Sequence, residues 1–521
     1  MKELFRELYV RGENKLRLLK LIFVLYKMNL LSPIGLSRLV RAIAKEGTNL
    51  MALLSFAEKV YPKKVAIVDD EKITYQKLYR QSESLSYFLF KKYQVKSNQK
   101  VAFLCKNHVT FIQSLFAVSR IGADIYFLNT EMSKEQCKRL LEEHQFHLLI
   151  YDIELEPIIN DYSGKKMLSS QKDFPVVSEE ERLPRMSASK LMLLTGGTTG
   201  KSKIVPHKPS LFNYLNPFLG LLSRLKLLQY HTAYIATPIY HGYGIAVLLL
   251  FFALGKKVVV SKGFDVKMAC EIIRRERVEV VTVVPLMLHK MLKHNVDDLR
   301  SLSCIASGGA ELNPKLVEET RRQLGDVLFN LYGTSEAGLN MIASPEDLKL
   351  SSSTIGRKIK GVHVRILDKG KKEVKVGSIG QFCVKHNGSM LKYRKTWIET
   401  GDVGYVNTDG LYHLCGRMDD MVVSAGENVY PIELEQILIK HPQVEDVAVI
   451  GVEDEQFGQR LQAFVLPESR NTVSKEELYK WLQPRVARFQ MPKEIIFINE
   501  MPYTAVGKLD KKKLRKHPNY E

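Results

Sequence analysis

The chain has 521 residues, of which 45% are hydrophobic, so it can bury a large core and should fold into roughly two to four domains. Its formal net charge of +20 favours an anionic partner: a nucleotide, a coenzyme, an anionic lipid or a nucleic acid. The sequence shows no zinc-finger spacing, no aromatic RNA-binding motif and no recognition-helix pattern, which makes nucleic acid the weakest of these candidates. We therefore expect no nucleic-acid partner.

The composition also bears on cellular location. The longest uncharged apolar run, residues 245–254, has about half the length of a membrane-spanning helix. No signal peptide is predicted, because the N-terminus carries charges of both signs and no small-residue cleavage site follows an apolar core. Six cysteines without C-x-x-C or metal-ligand spacing indicate free thiols in a reducing compartment. These features predict a cytoplasmic protein.

Residues 1–48 form an N-terminal extension in which basic side chains are threaded through aliphatic ones. We expect a helix here, and two interpretations stay open. The helix either lies in the surface of an anionic membrane, which would attach the protein to the inner face, or docks on the body of the fold. The side chains concerned are the apolar Leu16, Leu19, Phe23 and Leu30 and the basic Lys15, Arg17, Lys20 and Lys27.

From residue 61 the chain alternates short apolar runs with amphipathic segments of helical length, which predicts an α/β fold. The runs are of the buried type that parallel strands favour. Strands are expected at residues 65–68, 101–104, 125–128, 147–151, 233–238, 257–260 and 278–285, and helices at 75–91 and 134–143.

After about residue 356 the pattern changes to shorter strands with turns, at 362–367, 381–385 and 411–414, which indicates a small β-rich module. A charged turn at 417–420 follows. We expect a compact α+β domain beyond it, with helices at 431–440 and 474–484 and strands at 444–452, 460–466 and 494–498. The predicted organisation is an extension (1–48), a large domain (49–416) and a small C-terminal domain (417–521).

Residues 191–205 predict a strand, an anion-binding loop and a second strand. Glycines allow backbone N–H groups to turn toward phosphate oxygens, while hydroxyls and lysines add donors and positive charge. The P-loop pattern would require glycine where Thr195 stands, so this is a different phosphate loop. Taken alone, a flexible glycine-threonine turn would be the simpler interpretation.

Two further motifs, residues 307–311 and 331–338, are expected in loops at strand ends, where open α/β sheets gather ligands. Tyr332 could cover a purine, and Glu336 could hold Mg²⁺ against a phosphate. A serine-hydrolase elbow is less favoured, because Ala337 replaces its last glycine. Asp402, in a turn-like Thr-Gly-Asp sequence, could accept from two ribose hydroxyls or could be an ordinary turn aspartate.

In their order along the chain, these motifs resemble the adenylate-forming superfamily of acyl-CoA synthetases, firefly-type luciferases and peptide-synthetase adenylation domains, over about residues 50–515. The resemblance implies a large domain of mixed parallel sheets layered with helices and a small β module, joined by a hinge to a small α+β domain. The matching segments are the phosphate loop 195–203, the motif 332–336, the ribose motif 400–402, the hinge 416–420 and Gly507-Lys508 near the C-terminus.

The resemblance also implies roles for individual residues. Lys508, Glu336, Thr195 and His241 are the expected catalytic residues, with Glu336 as the Mg²⁺ ligand and Asp419 as the hinge. The expected nucleotide-binding residues are Thr195, Gly196, Gly197, Thr198, Thr199, Gly200, Lys203, Gly309, Ala310, Tyr332, Gly333, Thr334, Ser335, Asp402 and Arg417. Ser424, Ala425 and Gly426 would line the coenzyme A channel, and Tyr240, Gly242, Gly308 and Gly309 the acyl pocket.

Within the superfamily the chain looks most similar to fatty acyl-CoA synthetases, judged by residues 426–433 and 451–458. It departs from them at 388–399, where relatives usually carry a longer loop. The implied activity is ATP- and Mg²⁺-dependent activation of a fatty acid, followed by transfer to coenzyme A. Two alternatives stay open: an acid-activating enzyme that delivers its acyl or aryl adenylate to a carrier-protein thiol or that uses an aryl or amino acid, and a non-catalytic protein that binds nucleotide or a lipid surface.

Overall fold

The computed structural model describes residues 32–171, 174, 183–187, 190–195, 203–207, 220–334, 336–385, 396–424, 427–455, 457–468, 473–504 and 507–516, with the backbone alone at 194–195 and 203–207. The chain forms two compact units, Met1–Thr282 and Val283–Glu521. Strands and helices alternate through the first unit, and the second ends in a smaller α+β module, as the sequence predicts. The α/β fold class is therefore confirmed.

The first unit contains two mostly parallel sheets. One has the strand order β6-β5-β3-β4-β7-β8, in which only the β7/β8 pair is antiparallel. Its strands are β3 (Lys100–Leu104), β4 (Asp124–Phe127), β5 (Leu148–Tyr151), β6 (Lys166–Leu168), β7 (Leu191–Thr195) and β8 (Lys203–His207). The other has the order β11-β9-β10-β1-β2, with β2 antiparallel. Its strands are β1 (Val65–Val68), β2 (Lys72–Thr74), β9 (Thr232–Ile235), β10 (Lys257–Val260) and β11 (Val280–Val283).

Two of the described helices of this unit precede β1 in the chain, and the others lie between strands. They are α1 (Pro33–Glu46), α2 (Leu50–Val60), α3 (Tyr75–Lys92), α4 (Val109–Ile121), α5 (Lys134–His144), α6 (Gly242–Ala253) and α7 (Val266–Glu276). α6 is apolar on nearly every side and largely buried, which explains the long apolar run in the sequence. Among the helices that the structure describes, none is long and apolar enough to cross a membrane.

Helix α1 is docked on the body of the first unit by its inner face. Glu46 is fully buried, accepts from the Tyr79 hydroxyl at 2.7 Å and pairs with the Arg120 guanidinium at 2.6 Å. The outer face exposes Ile34, Leu36 and Val40. The docked interpretation therefore holds for one face of α1, while the leucine-rich part of the extension, residues 1–31, lies outside the described residues.

The second unit begins with α8 (Pro285–His294) and contains a sheet of order β16-β17-β18-β19-β15-β14-β13-β12, in which only β12 and β13 are parallel neighbours. Two helices, α9 (Pro314–Leu324) and α10 (Pro345–Leu350), accompany it. The strands are β12 (Cys304–Gly308), β13 (Leu328–Thr334), β14 (Gly338–Ala343), β15 (Thr354–Lys358), β16 (His363–Leu367), β17 (Gly380–Lys385), β18 (Ile398–Val406) and β19 (Tyr412–Arg417).

The C-terminal module, Val422 to Leu514, is built on a five-stranded sheet in which β24 pairs with β23. Its strands are β20 (Val422–Ser424), β21 (Glu427–Val429), β22 (Val444–Asp454), β23 (Gly458–Pro467) and β24 (Glu494–Phe497). Three helices complete it: α11 (Pro431–Leu438), α12 (Lys475–Leu482) and α13 (Lys511–Leu514). The expected boundaries at 48/49 and 416/417 stay predictions, since the division into compact units falls at 282/283.

Two motifs expected in loops lie in strands instead. Residues 400–402 form a bulge inside β18, because Gln381 of β17 pairs with Val403 while Cys383 pairs with Glu399. Gly401 takes a φ of +78°, a conformation that glycine adopts freely. Tyr332, Gly333 and Thr334 lie in β13, which forms a hairpin with β14. Turn-type residues thus serve a bulge and a hairpin rather than free loops.

Candidate active site

The β18 bulge places Asp402 in a buried polar cluster of the second unit. Asp402 is 7% exposed, and its carboxylate accepts from the Tyr332 hydroxyl at 2.5 Å and from Arg417 Nη1 at 3.0 Å. The Asp402 N–H donates to Thr400 Oγ1 at 3.1 Å, which fixes the bulge. Burial raises the pKa of Asp402, while Tyr332 and Arg417 act in the opposite direction. The cluster therefore presents a fixed carboxylate, whose oxygens can accept hydrogen bonds from neighbouring hydroxyls of a ligand, beside a guanidinium.

The β13–β14 hairpin carries the motif that begins at Tyr332. Gly333 is required there, because a Cβ would lie 2.4 Å from the Gly338 carbonyl oxygen. Thr334 Oγ1 accepts from the Ala337 N–H at 3.1 Å, and Ser335 lies outside the described residues. Glu336 is half-buried in the turn and makes no ion pair within the described part of the chain. A single free carboxylate fits Mg²⁺, which takes one or two carboxylates and completes its shell with phosphates and water.

The end of β12 approaches β13 closely. A Cβ on Gly308 would lie 3.0 Å from the Leu331 carbonyl oxygen, and Gly309 has a φ of +86°. The Ser307 hydroxyl is buried and makes no hydrogen bond to any described residue. Ala310 follows, half-buried. Both glycines are therefore needed for the backbone path at this strand end.

Lys508 stands on a tight loop beside this strand end. The Thr504 N–H donates to the Lys508 carbonyl at 2.7 Å, the Lys508 N–H donates to Thr504 Oγ1 at 3.1 Å, and Gly507 has a φ of +72°. A Cβ on Gly507 would lie 2.5 Å from one methyl of Val284, and a Cβ on Gly309 would lie 3.6 Å from its other methyl. One valine thus separates the Lys508 loop from the β12 end, and the Lys508 side chain is exposed.

The expected hinge is a short 3-10 turn, Met418–Asp420, between β19 and the C-terminal module. Arg417 Nε donates to the Asp419 carboxylate at 2.8 Å, so Arg417 contacts Asp402 and Asp419 at once. Ser424 ends β20 and is fully buried, whereas Ala425 and Gly426 lie outside the described residues.

The remaining predicted residues belong to the first unit. The strand, loop, strand order of the phosphate motif is confirmed, with Thr195 at the end of β7 paired with Lys203 at the start of β8. Gly196, Gly197, Thr198, Thr199 and Gly200 lie outside the described residues. His241 is the N-cap residue of α6, with its ring 4.6 Å from that of Tyr240. A Cβ on Gly242 would lie 3.0 Å from Leu193, so α6 starts close against β7.

One buried polar cluster, Cys105, His108 and Asp152, matches no motif in the sequence, and its potential ligand atoms all lie within 4.8 Å of one another. The described contacts engage each of them. His108 Nδ1 accepts from the Phe111 N–H at 3.0 Å and caps α4, its Nε2 bonds Asp152 at 2.7 Å, and the Cys105 thiol donates to the Ile150 carbonyl at 3.5 Å. We assign the cluster to fixing the start of α4, where an imidazole replaces the usual hydroxyl or carboxylate cap.

The family model of the AMP-binding enzyme matches residues 55–394, and that of the AMP-binding enzyme C-terminal domain matches residues 433–508. A 2-succinylbenzoate–CoA ligase of Bacillus cytotoxicus is 30% identical over 477 residues, which cover 87% of this chain and 96% of that protein. A ligase of the same name from Bacillus cereus is 28% identical over 472 residues, with the same coverage.

Solved structures share the fold. An amide bond synthetase from Marinactinospora thermotolerans gives a TM-score of 0.80 at 23% identity, covering 90% of this chain and 99% of that one. An o-succinylbenzoate coenzyme A synthetase from Bacillus subtilis, in complex with ATP and a magnesium ion, gives 0.76 at 24% identity, covering 89% and 99%. ATP, Mg²⁺ and coenzyme A, which the sequence predicts, are what coenzyme A ligases of the matched family use. With both family models in order along it and a 30% identical relative spanning most of it, the chain belongs to the AMP-binding enzyme family.

Proposed function

We propose that the protein is an AMP-forming acid–coenzyme A ligase. A carboxylate is a poor electrophile, so the acid is first joined to AMP from ATP with release of pyrophosphate, and the thiol then displaces AMP. The observation that carries the proposal is the buried Asp402 held by Tyr332 and Arg417, in a chain of the AMP-binding enzyme family. An anionic acceptor fixed by a hydroxyl and a guanidinium is what vicinal ribose hydroxyls require.

In the first half-reaction, negative charge develops on the α-phosphate and on both reacting oxygens, where fixed cations and N–H donors stabilise it best. Lys508 and the loop after Thr195 supply that stabilisation, while Asp402 and Arg417 hold the ribose and Tyr332 contacts the adenine. Thr334 and Ser335 add hydroxyl contacts to the phosphate. Glu336 would hold Mg²⁺, which neutralises phosphate charge when bound.

In the second half-reaction, the coenzyme A thiol attacks the acyl carbon and AMP leaves. Lys508 is no longer needed, and the C-terminal module turns about Asp419 to bring Ser424 and the residues after it toward the acyl-adenylate. His241 stands at the start of α6 beside Tyr240, where we place the meeting point of the acyl pocket and the thiol channel.

For the acid itself we propose a fatty acid. The α6 segment with Tyr240 and Gly242, which we propose lines the acyl pocket, carries no charged side chain to pair with a second carboxylate. A second candidate is 2-succinylbenzoate, favoured by the names of the relatives at 30% and 28% identity. Neither of these relatives is named for a fatty acid, so the proposal of a fatty acid over 2-succinylbenzoate rests on the chemistry of the residues proposed to line the pocket.

Two alternative functions predict different results from the coenzyme A ligase. If the acceptor is a carrier-protein thiol, acid-dependent pyrophosphate release will occur but free coenzyme A will not form a thioester. If the protein only binds nucleotide or a lipid surface, neither half-reaction will occur. Peripheral membrane attachment is compatible with the ligase and is a separate prediction.

The deciding experiment measures acid-dependent pyrophosphate release from ATP, with and without coenzyme A, across acetate to oleate, benzoate and 2-succinylbenzoate. A fatty acid–coenzyme A ligase should respond to the longer alkanoates and should form thioester only with coenzyme A present. A response restricted to 2-succinylbenzoate would establish the second candidate. If no acid of the panel stimulates pyrophosphate release, the proposed substrate class is rejected.

A further inference from the structure

Side chains of helices α8 and α9 bind one short segment of the C-terminal module, residues 441–445. Lys315, in the first turn of α9, directs its ammonium at two backbone carbonyls, those of His441 at 2.7 Å and Val444 at 2.6 Å. The lysine is half-buried, and burial lowers its pKa. An ammonium taken from water and given two carbonyl acceptors is a specific contact, since each charge-assisted hydrogen bond depends on its geometry.

The adjacent residue, Glu445, continues the contact with α8. Its carboxylate pairs with the Lys293 ammonium and lies 3.4 Å from His289 Nε2. The paired Lys293 and His289 lower the pKa of Glu445, against the effect of burial. Three basic side chains on two helices thus hold a five-residue segment of the module.

This segment is joined to the loop that carries Lys508. Asp446, the residue after Glu445, accepts a hydrogen bond from the Tyr503 hydroxyl, and Tyr503 pairs with Leu509 in an isolated β-bridge that encloses Lys508. At the other end, Gly507 packs against Val284, the N-cap residue of α8. The Lys508 loop is therefore fixed at both sides: directly at Val284 of α8, and through residues 441–446 at Lys293 of α8 and Lys315 of α9.

We propose that Lys315 is a positioning residue for Lys508, and that it holds the C-terminal module in the arrangement that forms the acyl-adenylate. The inference rests on the proposed function, in which Lys508 serves the first half-reaction and not the second. Lys315 contacts no reacting atom. Its effect passes through the His441 and Val444 carbonyls, Asp446 and Tyr503.

The test compares Lys315→Met with Lys315→Arg and with a charge-matched control, Lys290→Met, at an exposed position of α8. We expect Lys315→Met to slow acid-dependent pyrophosphate release about tenfold to a hundredfold, the effect of one buried charged hydrogen-bond donor. Thioester formation from supplied acyl-adenylate and coenzyme A should stay within about twofold of the unmodified rate. Lys315→Arg should recover part of the loss, and Lys290→Met should change neither step.

A second variant separates positioning from a general loss of stability. If Lys315 acts through Lys508, adding Lys315→Met to Lys508→Ala should cause no further loss of pyrophosphate release, because contacts that act as a unit are not additive. A full additional loss, or an equal fall in both half-reactions of Lys315→Met, would overturn the proposal.

A measurement made without substrate tests the positioning role of Lys315 separately from the proposed ligase activity. Hydrogen exchange of the amides at 441–446 and 507–510 should be faster in Lys315→Met than in Lys290→Met, whatever acid the protein uses. Unchanged exchange in both segments would reject the link between Lys315 and the Lys508 loop. Absence of pyrophosphate release in the unmodified protein would reject the ligase alone.

Discussion

At the scale of single residues, Lys508 is an exposed member of the proposed catalytic set and the simplest to test. Lys508→Ala should reduce acid-dependent pyrophosphate release by at least about a hundredfold, since one cation at a developing charge contributes about 3 kcal/mol. Thioester formation from supplied acyl-adenylate should be spared. The exposed Lys513→Ala is the matched control. If both half-reactions fall together in Lys508→Ala, the lysine has a structural role.

Glu435 of α11 gives a prediction about pH. Burial raises its pKa to about 7, although Lys511 and the Val449 N–H favour the charged form. Its neighbour Gln436 donates to Glu311 at 3.3 Å, and burial and the Glu435 charge raise the pKa of Glu311 as well. Glu311 is exposed to water, which offsets part of this effect.

An acid whose pKa is raised on folding destabilises the fold as pH rises from its ordinary value to the raised one. Glu435→Gln should therefore leave the thermal midpoint almost unchanged at pH 5 and raise it at pH 8. At pH 8 the free energy of unfolding should increase by about 1–2 kcal/mol. The exposed Glu427→Gln serves as control. An equal change at both pH values would contradict a titration effect at Glu435.

At the scale of elements, the sequence predicts helices and strands well where the pattern of their own side chains determines the secondary structure. The predicted helix at 75–91 is α3 (Tyr75–Lys92), and the strand at 65–68 is β1 (Val65–Val68). Strands that depend on pairing with their neighbours are not predicted. β14 and the bulged β18 are rich in glycine or turn-type residues, and they form by pairing with other strands of the sheet.

The candidate site shows the same division. Asp402, Tyr332 and Lys508 are recognisable because each stands in a local motif, but the contact between Asp402 and Tyr332 arises only from the tertiary structure, and the Lys508 loop is placed by its packing against Val284. Lys315 and its acceptors are about 130 residues apart in sequence, and no local pattern links an ordinary surface-type lysine to two backbone carbonyls. Contacts of this kind require the structure.

Helix α1 carries the prediction of membrane attachment. Its outer face exposes Ile34, Leu36 and Val40 next to the exposed Arg41, and the basic extension precedes it. Replacing the three apolar residues by Ser should reduce co-sedimentation with anionic vesicles at low salt, and high salt should release the unmodified protein, because ions screen its attraction to the headgroups. Activity should be retained. Equal sedimentation of both proteins would show that this face does not bind membrane.

Removing the extension would be a poorer test of membrane attachment than these substitutions. A chain that begins at Asn49 lacks Glu46 and leaves the buried Arg120 without its carboxylate partner. Removing one partner of a buried ion pair typically costs about 3–5 kcal/mol. We therefore expect that shortened chain to be less stable, whether or not the extension binds membrane.

At the scale of the whole molecule, the turn at 418–420 is the predicted pivot of the C-terminal module. Asp419→Pro should preserve pyrophosphate release better than thioester formation, because proline fixes φ and removes a rotation that the second half-reaction requires. The exposed Asp409→Pro, in a different turn, controls for the introduction of proline. Equal retention of both half-reactions would place the pivot elsewhere.

Arg417 has a consequence for energetics that extends beyond its local contacts. One guanidinium is shared between Asp402, where we place the ribose, and Asp419 in the turn, so a change at one carboxylate alters the energy of the other contact. Such sharing is a coupling free energy, and coupling is reciprocal: if nucleotide shifts the equilibrium of the turn by some factor, the state of the turn shifts nucleotide affinity by the same factor. ATP would then be an effector of the module as well as its substrate.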